Sequence, residues 1–176
     1  MDFIEKWFDK LEFLSLRFSQ VAVVIMMLLT TADAISRYFL KQSIIGAYET
    51  IELYLMVALV FLSMSFVQKI DGHIRLDILF DRFPKRVQDV LNIIYYVFAA
   101  VMFFFIGLKG FNMTLEALQF NYVAAGLINL PLWLSYIWIP IGSFLLVIRL
   151  ILLALLLAIG KGKYSETDPS DGSEML

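Results

Sequence analysis

Few residues in this chain have types and spacing that could do chemistry. The single histidine, His73, lies in the stretch VQKIDGHIRLDILFDRFP, four positions before Asp77 and directly after Gly72. An imidazole beside carboxylates can relay a proton, ligate a metal or hold a bend by hydrogen bonding. Asp33 and Arg37 are spaced i, i+4, and Glu49 and Glu52 are spaced i, i+3 a short way downstream. Each pair shares one face of a helix, so the four residues can form an ion cluster, and carboxylates alone can hold a hard cation through oxygen. Arg149 stands alone in FLLVIRLILLALLLAIG, where an unpaired guanidinium would be costly.

Other chemistry is excluded. With no cysteine there is no disulfide, thiolate zinc site or thiol nucleophile. One histidine cannot provide bis-histidine haem ligation. The sequence carries no Gly-rich phosphate cradle, no Ser-His-Asp set that one span could assemble and no His-rich metal motif. No cofactor and no enzymatic activity are expected. A net charge of -2 gives no reason to invoke nucleic acid.

The elements that position these residues are set by apolarity. The chain is 61% hydrophobic and 15% aromatic, with a mean hydropathy of +0.81. A soluble domain is about 45–50% apolar, so the excess must cover the outside as well as the core. Spanning a bilayer takes roughly 20 apolar residues. Four runs qualify, at about 14–34, 51–67, 90–108 and 132–159. The fold class is therefore all-α, a single membrane domain over residues 1–163. The fourth run is overlong, and Pro140 predicts a tilt or kink there. Residues 164–176 form a polar, acidic tail read as disordered. Ala32-Asp33-Ala34 fits a cleavage motif, but the acidic segment before the first run is unlike a signal peptide, and cleavage is not expected.

Two amphipathic segments flank the spans. DFIEKWFDKLEFL sets Phe3, Ile4, Trp7, Phe8, Leu11 and Leu14 at helical spacing and is read as a helix lying in the headgroup plane. IRLDILFDRFPKR sets Leu76, Leu79, Phe80 and Phe83 on one face and predicts an interfacial helix between spans two and three, ended by Pro84. Lys6, Lys10, Arg17, Lys69, Arg75, Arg82, Lys85, Arg86, Lys161 and Lys163 gather on one side, against Arg37, Lys41 and Lys109 on the other. The positive-inside rule then puts both termini and the middle loop in the cytoplasm. Small residues mark packing faces: Ser15, Ser19 and Ala22, then Ser63 and Ser65, then Ala99 and Ala100. No acid of this chain lies at the depth predicted for Arg149, which leaves snorkelling, a lipid phosphate or an acid on another chain as its partner. The connector from Lys109 to Trp133 is too apolar to be purely solvated, and Trp133, Trp138, Tyr122 and Tyr136 suit an aromatic belt.

The segment SRYFLKQSIIGAYETIELYLMVALVFLSMSFVQKIDGHIRLDIL resembles the small membrane subunit of the tripartite ATP-independent periplasmic (TRAP) transporters. The resemblance rests on the order Arg-Tyr, short loop, Glu, an apolar span ending VFL, then Gly-His-Ile-x-hydrophobic-Asp. It matches Arg37, Glu49, Gly72, His73 and Asp77 to the family's pattern, while Asp71, Ser63 and Ser43 depart from it. The resemblance implies a bacterial inner-membrane subunit that packs on a large elevator subunit. It also implies a periplasmic substrate-binding protein and sodium-coupled uptake (symport) of an organic acid of the dicarboxylate or sialic acid class. In that reading Asp33, Arg37, Glu49 and Glu52 form a structural ion cluster. Gly72, His73 and Asp77 hold a cytoplasmic bend, and Arg149 meets lipid or a partner subunit. The alternatives are a small self-assembling transporter with Asp33, Glu49 or Glu52 as coupling carboxylate, and a membrane enzyme using His73.

Overall fold

The computed structural model describes residues 2–70, 84–126 and 128–158, with side chains except at 2–7, 85 and 86. The described residues are helical apart from short connections, and four helices are long and apolar enough to cross a membrane. The chain is a multi-pass membrane protein.

No glycine or proline interrupts residues 2–40, and they form one continuous helix, α1 (Asp2–Leu40). It ends at Lys41, whose φ of 55° takes the backbone out of helical space. The segment read as a separate surface helix is thus the first part of α1, collinear with the span. Its Phe8 and Glu12 are buried in the bundle. An amphipathic pattern reports a buried face but not what buries it, and here a neighbouring helix does so from Phe8 onward.

Gly46 (φ 80°) opens α2 (Ala47–Lys69), which contains a π-helical turn at Ile51–Leu55. The positive φ at position 46 favours glycine, and a side chain there would also displace the tip of Ile128. Pro84 precedes α3 (Lys85–Gln119), and its carbonyl accepts from the N–H groups of Val87 and Gln88. The stretch 109–119, read as the start of a loop, continues α3; the connector proper begins at Phe120. A single β-bridge, Val123 to Pro131, closes that connector.

The fourth helix, α4 (Trp133–Ala158), is interrupted at Ile137, so that Trp133–Tyr136 and Trp138–Ala158 are separate segments. The break is the one expected from Pro140, whose ring opposes the carbonyl four residues earlier, at Tyr136. Pro140 itself sits in the first turn of the longer segment, where its missing N–H costs nothing.

The main helix contacts run α1 to α2, α2 to α4, and α4 to α3, so the helices form a row in that order. The core lies between α3 and α4, where Tyr96 and Ala100 meet Leu146, Val147 and Leu150. Long exposed apolar faces remain, among them Phe18, Val24 and Leu28 on α1 and Phe98, Val101 and Phe105 on α3. The predicted interfacial helix between spans two and three and the acidic tail lie outside the described residues.

Candidate functional site

The row is held together at a waist of small residues. Ser19 of α1 donates its hydroxyl to the Leu59 carbonyl of α2 at 3.3 Å. Gly142 of α4 lies against the Phe61 main chain of α2, closely enough that a Cβ would collide with it. On its other side α4 meets α3, where Gly107 faces Ser143 and Phe144, and Gly110 faces Ile139 and Pro140. Membrane helices approach this closely only where small residues let them, because in lipid their association rests on packing and hydrogen bonds. Ser19, Ala22, Ser65 and Ala100 from the sequence reading are buried; Gly107, Gly110 and Gly142 extend that set.

Two turns from the waist, toward the end that carries the chain termini, four charges meet. Arg149 is 8% exposed. Its Nη2 lies 3.3 Å from Glu12 Oε2 and 3.5 Å from Asp9 Oδ1. Lys69 Nζ lies 2.7 Å from that same Asp9 oxygen. Ser65 donates its hydroxyl to Glu12 Oε1 at 2.6 Å, and its oxygen is 3.4 Å from the Leu145 carbonyl. Glu12 is 1% exposed, whereas Asp9 and Lys69 lie at the rim. Two carboxylates against two cations make the group neutral, as a low-dielectric site requires.

This corrects the reading of Arg149. The chain does place acids at its level, and they come from the segment assigned to the membrane surface. The cue was present in register: Glu12 shares a helix face with Ser15, Ser19 and Ala22, the face that packs. α1, α2 and α4 are thereby joined by charge at one point. Beyond it, α4 runs on for roughly 14 Å to Ala158.

At the far end, Asp33 and Arg37 form an ion pair. Asp33 Oδ1 also accepts from the Ile44 N–H at 2.7 Å, fixing the turn between α1 and α2. Glu49 holds the connector: its Oε2 accepts from the Ile128 N–H at 3.3 Å, and Gly126 backs directly onto its carboxylate. Glu52, on the π-helical turn, is exposed. Tyr54 donates to the Pro131 carbonyl at 2.8 Å, and Ser135 donates to the Leu53 carbonyl. The connector is thus bound to α2 at Ile128 and Pro131, and the start of α4 at Ser135. Gly72, His73 and Asp77 lie outside the described residues. Among the described residues, no group of three or more His, Cys, Asp or Glu side chains could hold a metal ion.

One groove of about 380 Å³ opens between α1, α2 and α4, lined by Leu11, Leu14, Phe18, Leu62, Trp138 and Leu145. It is apolar and suits a hydrocarbon chain better than a charged solute.

Residues 26–159 match the family model described as the DctQ component of tripartite ATP-independent periplasmic transporters. The chain belongs to the DctQ family. The match runs from the middle of α1 to the end of α4, so it takes in the glycine contacts of α3 and α4, Arg149 and the far-end ion pair, but not Ser19 or Glu12. A relative among characterised proteins is the ectoine TRAP transporter small permease protein TeaB of Halomonas elongata, 23% identical over 152 residues. That alignment covers 86% of this chain and 78% of the relative. Members of the DctQ family are non-catalytic transport proteins, and this chain is a small permease subunit rather than an enzyme.

Proposed function

We propose that this chain is the static scaffold subunit of a TRAP-type secondary transporter. It packs on the large elevator subunit, in a bacterial inner membrane, with both termini cytoplasmic. The transporter takes up a carboxylate substrate of the dicarboxylate or sialic acid class, coupled to sodium and supplied by a periplasmic binding protein. The family match over residues 26–159 carries this reading. Lipid is a further partner, and Arg37, Glu49 and Arg149 act structurally.

The geometry supports a frame. A domain that moves as an elevator needs a neighbour that does not deform with it. Here three helices are tied by one neutral ion group, and glycine contacts join the row on both sides of α4. Of the three carboxylates a self-contained transporter would use for coupling, Asp33 and Glu49 each accept a main-chain N–H within the chain, and Glu52 is exposed on the π-helical turn.

The test is reconstitution. The chain alone in liposomes, under a sodium or proton gradient, should move neither succinate nor sialic acid. Gradient-driven uptake of either by the chain alone would overturn the scaffold reading in favour of a self-assembling transporter.

A further inference from the structure

The waist puts all four helices in common register, and their membrane-facing surfaces disagree about where the membrane is. On α1, Asp33 lies roughly 21 Å beyond Ser19 toward the far end, and Asp9 roughly 15 Å toward the terminal end. On α3, Lys109 lies only roughly 3 Å beyond Gly107 toward the far end, whereas the exposed Asp89 lies roughly 27 Å toward the terminal end. Apart from Arg17, whose guanidinium turns back over Phe13, the charged limits of α1 and α3 are therefore offset by about 18 Å at the far end and about 12 Å at the terminal end, in the same sense.

The exposed faces carry the same offset. Lys109, Asn112, Glu116 and Gln119 recur at helical spacing on one exposed face of α3. That same face is apolar on the terminal side, at Ile94, Phe98, Val101 and Phe105. At the level where α3 becomes polar, α1 exposes Val21, Val24, Ile25 and Leu28. Toward the terminal end the relation reverses: α1 and α2 carry Asp9, Lys10 and Lys69 where α3 and α4 still expose Ile94 and Ile151. Arg17, exposed on α1 near the waist, places its guanidinium 4.8 Å from the centre of the Phe13 ring, back toward the terminal end.

We infer that the row of helices stands tilted in the bilayer by about 25–35° within the plane of the row, with the α3 edge displaced toward the far side. Helices packed 8–10 Å apart put α1 and α3 about 25 Å apart across three contacts, and an offset of about 12–18 Å over that distance gives the angle. The tilt brings both charged limits onto two parallel planes. It leaves the Lys109–Gln119 face of α3 in water and the outer half of α1 in hydrocarbon. Tilted so, a helix needs roughly 33–37 Å of its length to cross a hydrocarbon layer of about 30 Å, and the helices of 33 residues, roughly 50 Å long, extend beyond it. The inference needs only that the chain spans a membrane, and it stands or falls apart from the transport role.

The chain has no native cysteine, so spin labels can be placed singly. Val24→Cys and Leu28→Cys on α1, and Asn112→Cys and Glu116→Cys on α3, are labelled with nitroxide in the full complex in proteoliposomes. Power saturation with oxygen, which partitions into lipid, is compared with a water-soluble nickel chelate. The tilt gives oxygen-dominated relaxation at 24 and 28 and chelate-dominated relaxation at 112 and 116, with the accessibility ratio differing at least several-fold. Equal ratios at 24 and 112 mean an upright bundle and overturn the inference. So does shielding of 24 and 28 from both reagents, which means that protein rather than lipid covers α1.

Discussion

Replacing Arg149 by leucine removes the one cation that, among the described residues, faces Glu12 at contact distance. Glu12 keeps its hydrogen bond from Ser65, and Asp9 keeps Lys69, so the loss falls on one buried carboxylate. Removing one partner of a buried pair costs about 3–5 kcal/mol, and the surviving Ser65 contact favours the low end. A loss of about 3 kcal/mol is roughly a 150-fold shift in the folding equilibrium. For a chain of this size it lowers the melting temperature by about 6–12 °C. The assay is the melting temperature of the purified complex in mild detergent, for Arg149→Leu, Glu12→Leu and the double variant. If the group acts as described, each single variant loses that much and the double recovers most of it, because neither charge is then left alone. Additive losses in the double variant, or a drop under about 1 °C for Arg149→Leu, would refute the assignment of these residues as one buried group.

Three further outcomes follow from single contacts. Gly142→Ala puts a methyl group into the Phe61 main chain and should force α2 and α4 apart, at about 1–3 kcal/mol; the melting temperature of the complex reads it, and a neutral result counts against the close contact. Tyr54→Phe deletes the donor to the Pro131 carbonyl, worth about 1 kcal/mol, and should raise hydrogen exchange within residues 120–132 while leaving α3 unchanged. Thr30→Val and Thr31→Val remove hydroxyls that bond only back to Met26 and Met27 on α1, and expression and melting temperature should stay within experimental scatter.

Much of the architecture can be read from the sequence because lipid leaves few options. Four apolar runs predict four spanning helices, and among the described residues four helices are long and apolar enough to span. What apolarity does not fix is where a helix stops. α1 and α3 continue well past their apolar runs because one stripe of each keeps packing after the other faces turn polar, as at Glu12 and Ala117. The ion group was hidden for the same reason. Asp9 and Glu12 look like the wet face of a surface helix until α2 and α4 are known to lie against them. At the far end the pairing of Asp33 with Arg37 was visible as i, i+4 spacing. The attachment of Glu49 to the 126–128 turn was not, since it joins residues 79 apart in sequence. Proline marked its break correctly, one turn late, because the strain falls on the preceding carbonyl rather than on the ring.

The central claim is that this chain works as one part of a larger membrane assembly. The direct measurement is to tag it, extract it from native membranes in mild detergent, and identify by mass what co-purifies and in what ratio. The account predicts a stable one-to-one complex with a much larger hydrophobic transporter subunit, retained through size exclusion. Recovery of the chain as a homo-oligomer with no larger membrane subunit would contradict it.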